Sequence, residues 1–257
     1  MNLHVHHFHE FVTPTAMELE ALERARKCRR EFKRKEIITH QGDRVKEIYF
    51  LTEGWVAASM EVDLVRTQLI KVNLPGDILG LPNISVARAA VSLTAITPAI
   101  VDVIPLEEFG RLFETVPRLA FALFVATQRE RVMLGEQLTM VGQTCALQRL
   151  AALLLSFHRR LSALGAVEHD TFDWPLSQEQ VAKCAGLTAI HVNRTFRDMK
   201  RGGLVAIEGK RIRLLNMPRL TDLAGLPERS FVREPAWLAS LGVPKQREKR
   251  ATARGAA

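Results

Sequence analysis

Apolar and polar positions change rhythm twice along this chain. From about residue 32 to 106, short apolar or alternating runs recur every ten residues or so, separated by Gly, Pro, Asn and Asp. Glu36-Ile37-Ile38-Thr39, Ile48-Tyr49-Phe50-Leu51, Trp55-Val56-Ala57-Ala58-Ser59, Leu69-Ile70-Lys71-Val72, Val91-Ser92-Leu93-Thr94-Ala95-Ile96 and Ile100-Val101-Asp102-Val103-Ile104 are the strand candidates. Turn signals fall at Gln41-Gly42-Asp43, Thr52-Glu53-Gly54 and Leu74-Pro75-Gly76-Asp77. This pattern predicts an antiparallel β-roll or jelly roll.

From Val116 to Leu164 the period becomes helical. Leu123, Ala126, Leu134, Leu138 and Val141 lie close to one face, interrupted by Glu130. Gly142 marks a break before a second helix holding Leu147, Leu150, Leu154 and Phe157. The long helix suits a dimer seam, although the same spacing also fits a helix packed on its own roll.

The stretch Leu176 to Phe196 reads as a helix-turn-helix. Ser177 is placed as N-cap with Gln180 three residues on, a capping box in which each side chain satisfies the other's free backbone N–H. Gly186 ends this helix, small Ala182 permits a steep crossing, and Val181, Ala185 and Leu187 are available for a shared core. Thr188 caps the second helix, where Val192, Phe196 and Met199 form an inward stripe. Ala189, Ile190, Asn193, Arg194 and Arg197 then face outward. Arg194 has the planar fork that pairs with the O6/N7 edge of guanine, Asn193 can pair with the N6/N7 edge of adenine, and Ile190 or Ala189 can touch a thymine methyl. Gly202 to Ile207 and Lys210 to Leu215 read as two strands joined through Glu208-Gly209, which makes a wing. The competing reading is an ordinary amphipathic hairpin in another kind of helical protein.

Charge supports the DNA reading once it is divided by region. Residues 177–216 hold eight Lys/Arg, including Lys183 and Lys210, against Glu179, Asp198 and Glu208, a net of +5. Residues 245–257 are net +4, so the remainder of a +8 chain is close to neutral. Positive charge is concentrated where phosphate contact is expected, while the basic tail reads first as a solvated end.

At 257 residues and 47% hydrophobic content the chain can bury one or two cores, so a larger domain lies upstream of the winged unit. No run of about 20 apolar residues is present, and the start lacks the basic-then-apolar order of a signal peptide, so a cytoplasmic protein is expected. Three cysteines far apart, Cys28, Cys145 and Cys184, argue against a disulfide framework or a Cys-x-x-Cys metal site. His4, His6, His7 and His9 are dense enough to hold a metal, but a chain terminus rarely pre-forms a site, and no metal is expected. Cys184 beside Lys183, in a basic region that could lower its thiol pKa, is a candidate redox position; a small filler role competes with it. No Gly-rich phosphate loop, His-Glu-x-x-His or Gly-x-Ser-x-Gly occurs, so an enzyme is not expected.

The order roll, long helix, winged helix, over roughly residues 30–216, resembles the catabolite-activator and fumarate–nitrate-regulator (CRP/FNR) family of bacterial transcription factors. The most specific pieces are Ile48-Tyr49-Phe50-Leu51-Thr52-Glu53-Gly54, Leu74-Pro75-Gly76-Asp77-Ile78-Leu79-Gly80, and Leu187-Thr188-Ala189-Ile190-His191-Val192-Asn193-Arg194. The resemblance implies a homodimer on a near-palindromic site, reading helices in successive major grooves about 34 Å apart, and contact with RNA polymerase.

Three departures from the family narrow this. Members that bind cyclic AMP carry Gly-Glu-Leu-Gly, whose Glu holds the ribose, and Arg-Ser/Thr-Ala, whose Arg and hydroxyl hold the cyclic phosphate. Here the first stretch is Gly80-Leu81-Pro82-Asn83, and Arg88-Ala89-Ala90 keeps an Arg but loses the hydroxyl at shortened spacing. An apolar Leu81 cannot accept the ribose hydrogen bonds, so a cyclic nucleotide is not the expected effector, and Arg88 reads as a loop residue. Only Cys28 precedes residue 145, which is too few for the N-terminal iron–sulfur cluster of oxygen-sensing relatives. In the reading helix Ile190 replaces a frequent acidic residue and Ala189 the Arg of cyclic-AMP-type members, while Arg194 is retained.

The expectation is therefore an α+β chain. It comprises an N-terminal segment (1–30), an antiparallel β-roll resembling a cyclic-nucleotide domain (31–115), a dimerisation helix (116–142), a winged helix-turn-helix (143–216) and a C-terminal extension (217–257). The expected DNA-contacting residues are Ser177, Thr188, Ala189, Ile190, His191, Asn193, Arg194, Arg197 and Lys210, and the candidate effector pocket is Gly76, Gly80, Leu81, Arg88 and Ala89. No cofactor is expected; the partners are double-stranded DNA, a second copy and, by resemblance, RNA polymerase. Two alternatives stay open, a cyclic-nucleotide-dependent regulator with a rearranged pocket, and a small-molecule-sensing module that regulates a protein partner. An apolar run after Asn216, with Leu220, Leu223, Leu226, Phe231 and Trp237, has no assigned packing partner.

Overall fold

The computed structural model describes residues 15–61, 63 and 67–227. The N-terminal histidines, Phe231, Trp237 and the basic tail lie outside the described residues.

Two four-stranded antiparallel sheets build the roll. One runs β1 (Cys28–Phe32), β8 (Ala99–Pro105), β3 (Glu47–Glu53), β6 (Ile78–Leu79). The other runs β2 (Ile37–Thr39), β7 (Ser92–Ala95), β4 (Val56–Glu61), β5 (Thr67–Asn73). The continuous apolar run Ile48 to Leu51 reflects a strand covered on both faces. Tyr49 and Leu51 meet Val56, Leu93, Val101 and Val103 inside the roll. Ile48 and Phe50 point the other way, with Ile78 and Ile104, into a second cluster. Between β3 and β4 the chain turns at Gly54, with φ of 87°, where a Cβ would lie 2.2 Å from the Pro98 carbonyl oxygen; only glycine fits.

β1 was not among the strand candidates. Its sequence, Cys-Arg-Arg-Glu-Phe, is mostly charged and exposed, as an edge strand permits. It is tied down from β8 by buried Asp102, which accepts from Arg29 Nε at 3.0 Å and Arg26 Nη1 at 3.3 Å.

Helices cover the outer face of the first sheet. Helix α1 (Ala16–Ala25) starts at a capping box between Thr15 and Glu18 and contributes Ala21, Leu22 and Ala25. Helix α2 (Leu106–Thr115) follows β8 directly and adds Phe109 and Leu112. Helix α3 (Pro117–Gln143) is 27 residues long and buries Leu119, Ala122, Leu123 and Ala126 in its first part. The stripe expected on one face of this helix therefore divides: Leu123 and Ala126 are buried, whereas Leu134, Leu138 and Val141 are exposed, with Leu138 at 75%. The break expected at Gly142 falls at Thr144 and Cys145, both extended, where the Cys145 N–H donates to Gln148 Oε1 at 3.1 Å and opens the next helix.

The C-terminal unit holds α4 (Ala146–Ala163), β9 (Thr171–Asp173), α5 (Gln178–Ala185), α6 (Ala189–Arg201), β10 (Val205–Glu208), β11 (Arg211–Leu214) and α7 (Met217–Ala224). The expected wing is present, widened by a third strand in the order β10-β11-β9. The apolar run after Asn216 has a partner: α7 packs on α4, with Leu220 and Ala224 buried and Leu223 and Leu226 against the same cluster.

Roll and winged helix share a core. Trp55, Leu69, Val72, Leu74 and Ile96 join Leu150, Leu154, Phe157 and the cores of α5 and α6 in one cluster. The rings of Trp55 and Phe157 stack at 5.3 Å, and Trp174 meets Phe157 edge-on at 5.2 Å. Arg160 of α4 reaches Asp77 of the roll at 2.8 Å. On α5, the Lys183 carbonyl accepts from Gln68, and Lys183 Nζ donates to Thr67 Oγ1.

Candidate nucleic-acid interface

The two helices of the DNA-reading motif form as their caps dictate. Ser177 Oγ accepts from the Gln180 N–H at 3.2 Å, and Gln180 Oε1 accepts from the Ser177 N–H at 2.9 Å. At the other end of α5, Gly186 adopts φ of 62° in the left-handed region, and Arg149 donates to the carbonyls of Ala185 and Gly186 at 3.3 and 3.1 Å. Thr188 Oγ1 accepts from the His191 N–H at 3.3 Å and starts α6.

Val192, Phe196 and Met199 are buried, as is Thr195, so α6 presents its opposite side to solvent. Ile190 is 80% exposed, and His191, Asn193, Arg194 and Arg197 are exposed beside it, with Ala189 half-buried. Ser177 and Thr188 are exposed at the helix starts, and Lys210 is exposed at the tip of the wing after Gly209. The starts of α5 and α6 are both exposed, and helix N-termini favour phosphate oxygens. An exposed aliphatic, an amide and two guanidinium groups suit the donor, acceptor and methyl pattern of the major groove. Among the eight cations of the region, Lys183 donates its ammonium to Thr67 of the roll, Arg201 pairs with Asp198, and Arg211 lies 3.7 Å from Asp173.

One neighbour was not anticipated. Asn193 Nδ2 donates to Gln178 Oε1 at 3.2 Å, and Arg197 Nη2 donates to Asn193 Oδ1 at 3.5 Å. Gln178 is the first residue of α5, fifteen positions before Asn193, and no periodicity within either helix relates the two.

Cys184 is buried, and desolvation pushes its thiol up to about 12. The expectation of a lowered thiol pKa is overturned: the side chain lies in the shared core, where loss of water outweighs the basic neighbours. Its backbone carbonyl accepts from Gln137 of α3 at 3.3 Å.

A cleft of about 320 Å³ lies between the roll and α3. Its walls are mainly aliphatic, including Ile70, Ile78, Leu81, Ile84 and Leu134, with Lys71, Glu130 and Arg131 among the lining residues. Lys71 is paired with Glu130 at 2.9 Å. Gly80 and Leu81 line this cleft, but the other three proposed pocket residues do not. Gly76 donates its N–H to the Leu51 carbonyl at 2.7 Å, and Ala89 is buried with its N–H on Asp43 at 2.8 Å. Arg88 donates to the Gly42 carbonyl at 2.9 Å from an exposed position. The Leu81 side chain offers a ribose diol no acceptor, and one donor of the exposed Arg88 guanidinium is taken by the Gly42 carbonyl.

A roll carrying a winged helix whose reading face is open and basic defines a class, the DNA-binding transcriptional regulators. Comparison narrows it. Residues 148–223 match the Crp-like helix-turn-helix domain family, and residues 29–116 match the cyclic nucleotide-binding domain family. The transcriptional regulatory protein btr of Bordetella pertussis is 30% identical over 210 residues, covering 82% of this chain and 86% of that protein. The nitrogen fixation regulation protein FixK of Bradyrhizobium diazoefficiens is 32% identical over 189 residues, covering 74% and 78%. In fold, the chain is similar to FixK2 from Bradyrhizobium japonicum, with a TM-score of 0.71 at 22% identity over 78% of this chain and 98% of that one. The chain belongs to the CRP/FNR family of transcriptional regulators. No described helix is long and apolar enough to cross a membrane.

Proposed function

We propose that the protein acts as a homodimer on a near-palindromic DNA site and does so without control by a cyclic nucleotide. The observation that carries the dimer is the exposed apolar stripe on α3, where Leu134, Leu138 and Val141 share one face and are all exposed. A stripe of this kind along a long helix is covered at low cost by the same stripe of a second copy. Two copies related by a two-fold axis would then present two α6 helices to successive major grooves, about 34 Å apart.

In each half-site Arg194 reads a guanine, Asn193 an adenine, and Ile190 a thymine methyl, while Lys210 and the starts of α5 and α6 hold phosphates. The aliphatic cleft wall at Leu81 and the outward commitment of Arg88 support independence from cyclic nucleotides. The family likeness supports contact with RNA polymerase and residence in the cytoplasm, while the single cysteine ahead of residue 145 is too few for an N-terminal iron–sulfur cluster.

Selection of bound sequences from a random duplex pool tests the reading, run with and without cyclic AMP at one stated salt concentration. A palindromic consensus enriched equally in both arms is expected. Enrichment only with the nucleotide would favour a rearranged pocket, and sedimentation as a monomer at micromolar concentration would remove the dimer.

A further inference from the structure

We infer that Gln178 is a specificity-determining residue that fixes how Asn193 presents its amide to a base edge; the inference rests on the reading of DNA by α6. An exposed asparagine is a poor reader by itself, because its amide flips between two nearly isosteric orientations that exchange donor and acceptor. Here the orientation is set from both sides. Gln178 Oε1 takes one hydrogen from Asn193 Nδ2 at 3.2 Å, and Arg197 Nη2 gives one to Asn193 Oδ1 at 3.5 Å.

An amide has two N–H donors and two carbonyl lone pairs. Bracing uses one of each, so one N–H remains for adenine N7 and one lone pair for the adenine N6 hydrogen. The reversed orientation would set the Asn193 nitrogen against the Arg197 guanidinium, which can only donate, and the Gln178 oxygen, turned to accept from Nδ2, adds a second hold on the same orientation. The brace therefore selects the adenine-reading orientation before DNA arrives. Gln178 itself is exposed on the first turn of α5, and the cap of that helix belongs to Ser177 and Gln180, so Gln178 carries no part of the capping box.

The test compares the full-length protein with Q178A, Q178E, N193A and the Q178A/N193A double variant on duplexes carrying each of the four bases at every half-site position. The position read by Asn193 is the one whose discrimination N193A loses. At that position Q178A is expected to lower discrimination by roughly fivefold or more, the low end of what a bidentate pair supplies, and to leave the Arg194 guanine preference in place. Q178E is expected to keep the base preference, because a carboxylate still accepts from Nδ2, while weakening binding to every sequence through its charge. In the N193A background Q178A should change nothing further at that position. Uniform weakening by Q178A at all positions would mark a backbone contact and overturn the inference, as would unchanged discrimination. A parent protein that enriches no consensus would overturn the DNA reading beneath it, which is a distinguishable failure.

Discussion

Phe157→Ala probes whether the roll and the reading unit are one cooperative body. Phe157 is buried on α4, its ring stacked on Trp55 of the roll at 5.3 Å and met edge-on by Trp174 at 5.2 Å. Truncating a fully packed phenylalanine costs about 3–5 kcal/mol, through lost transfer energy and the cavity left behind. Each ring contact contributes roughly 0.5–1.5 kcal/mol of that. Phe157→Leu keeps most of the volume and forfeits the ring geometry, so it should cost about 1–2 kcal/mol. The assay is urea unfolding followed by fluorescence in two backgrounds, one retaining only Trp55 and the other only Trp174. Because both tryptophans lie in the same cluster, the two probes should trace one transition, and Phe157→Ala should move both midpoints down together. Separate transitions in the parent, with only the Trp174 curve responding to the substitution, would refute a shared core.

Arg194→Ala should weaken specific binding by about 1–3 kcal/mol and relax one base position, measured by competition among variant duplexes. Leu138→Glu should raise the dimer dissociation constant a hundredfold or more, about 3 kcal/mol for a carboxylate forced into an apolar seam, while circular dichroism stays that of the folded chain. The Cys184 thiol, pushed up to about 12 by burial, should resist a disulfide reagent at pH 8 while exposed Cys145 reacts. Since the folded pKa lies above the ordinary 9.0, the thiol's contribution to stability is complete below about pH 9 and declines as pH rises towards 12. Cys184→Ala should flatten that alkaline loss, as read from unfolding midpoints between pH 8 and 11.

The roll and the helix-turn-helix were legible because each writes its pattern into the sequence, short apolar runs such as Ile48 to Leu51 bounded by turn residues, and helical recurrence in Val192, Phe196 and Met199. β1 was not, because Arg29, which hides the strand from a hydrophobicity reading, is the residue that pins it to Asp102 across the sheet. A helical period says that a face is apolar and not what covers it; hence Leu123 and Leu138 looked alike although one is buried on this chain and the other is exposed. The outward set on α6 followed from spacing, whereas its Gln178 partner depends on how two helices cross. For Cys184 the filler role holds and the redox reading fails, because sequence neighbours set its apparent electrostatics while burial in the core shared by α5 and the roll sets its actual one.

The shared core also bears on modularity. A reading unit cut at Cys145 would present the faces that Trp55, Leu69, Leu74 and Ile96 now cover, and it would surrender the Arg160 to Asp77 ion pair and the hold of Gln68 on α5. Transplanting this DNA specificity onto a foreign sensor is thus a problem of surface matching: the graft must bring its half of the roll interface or find an equivalent one. Exchanging only the exposed positions Ile190, Asn193, Arg194 and Arg197, with Gln178 carried alongside, leaves that interface untouched and is the cheaper route to a new target sequence.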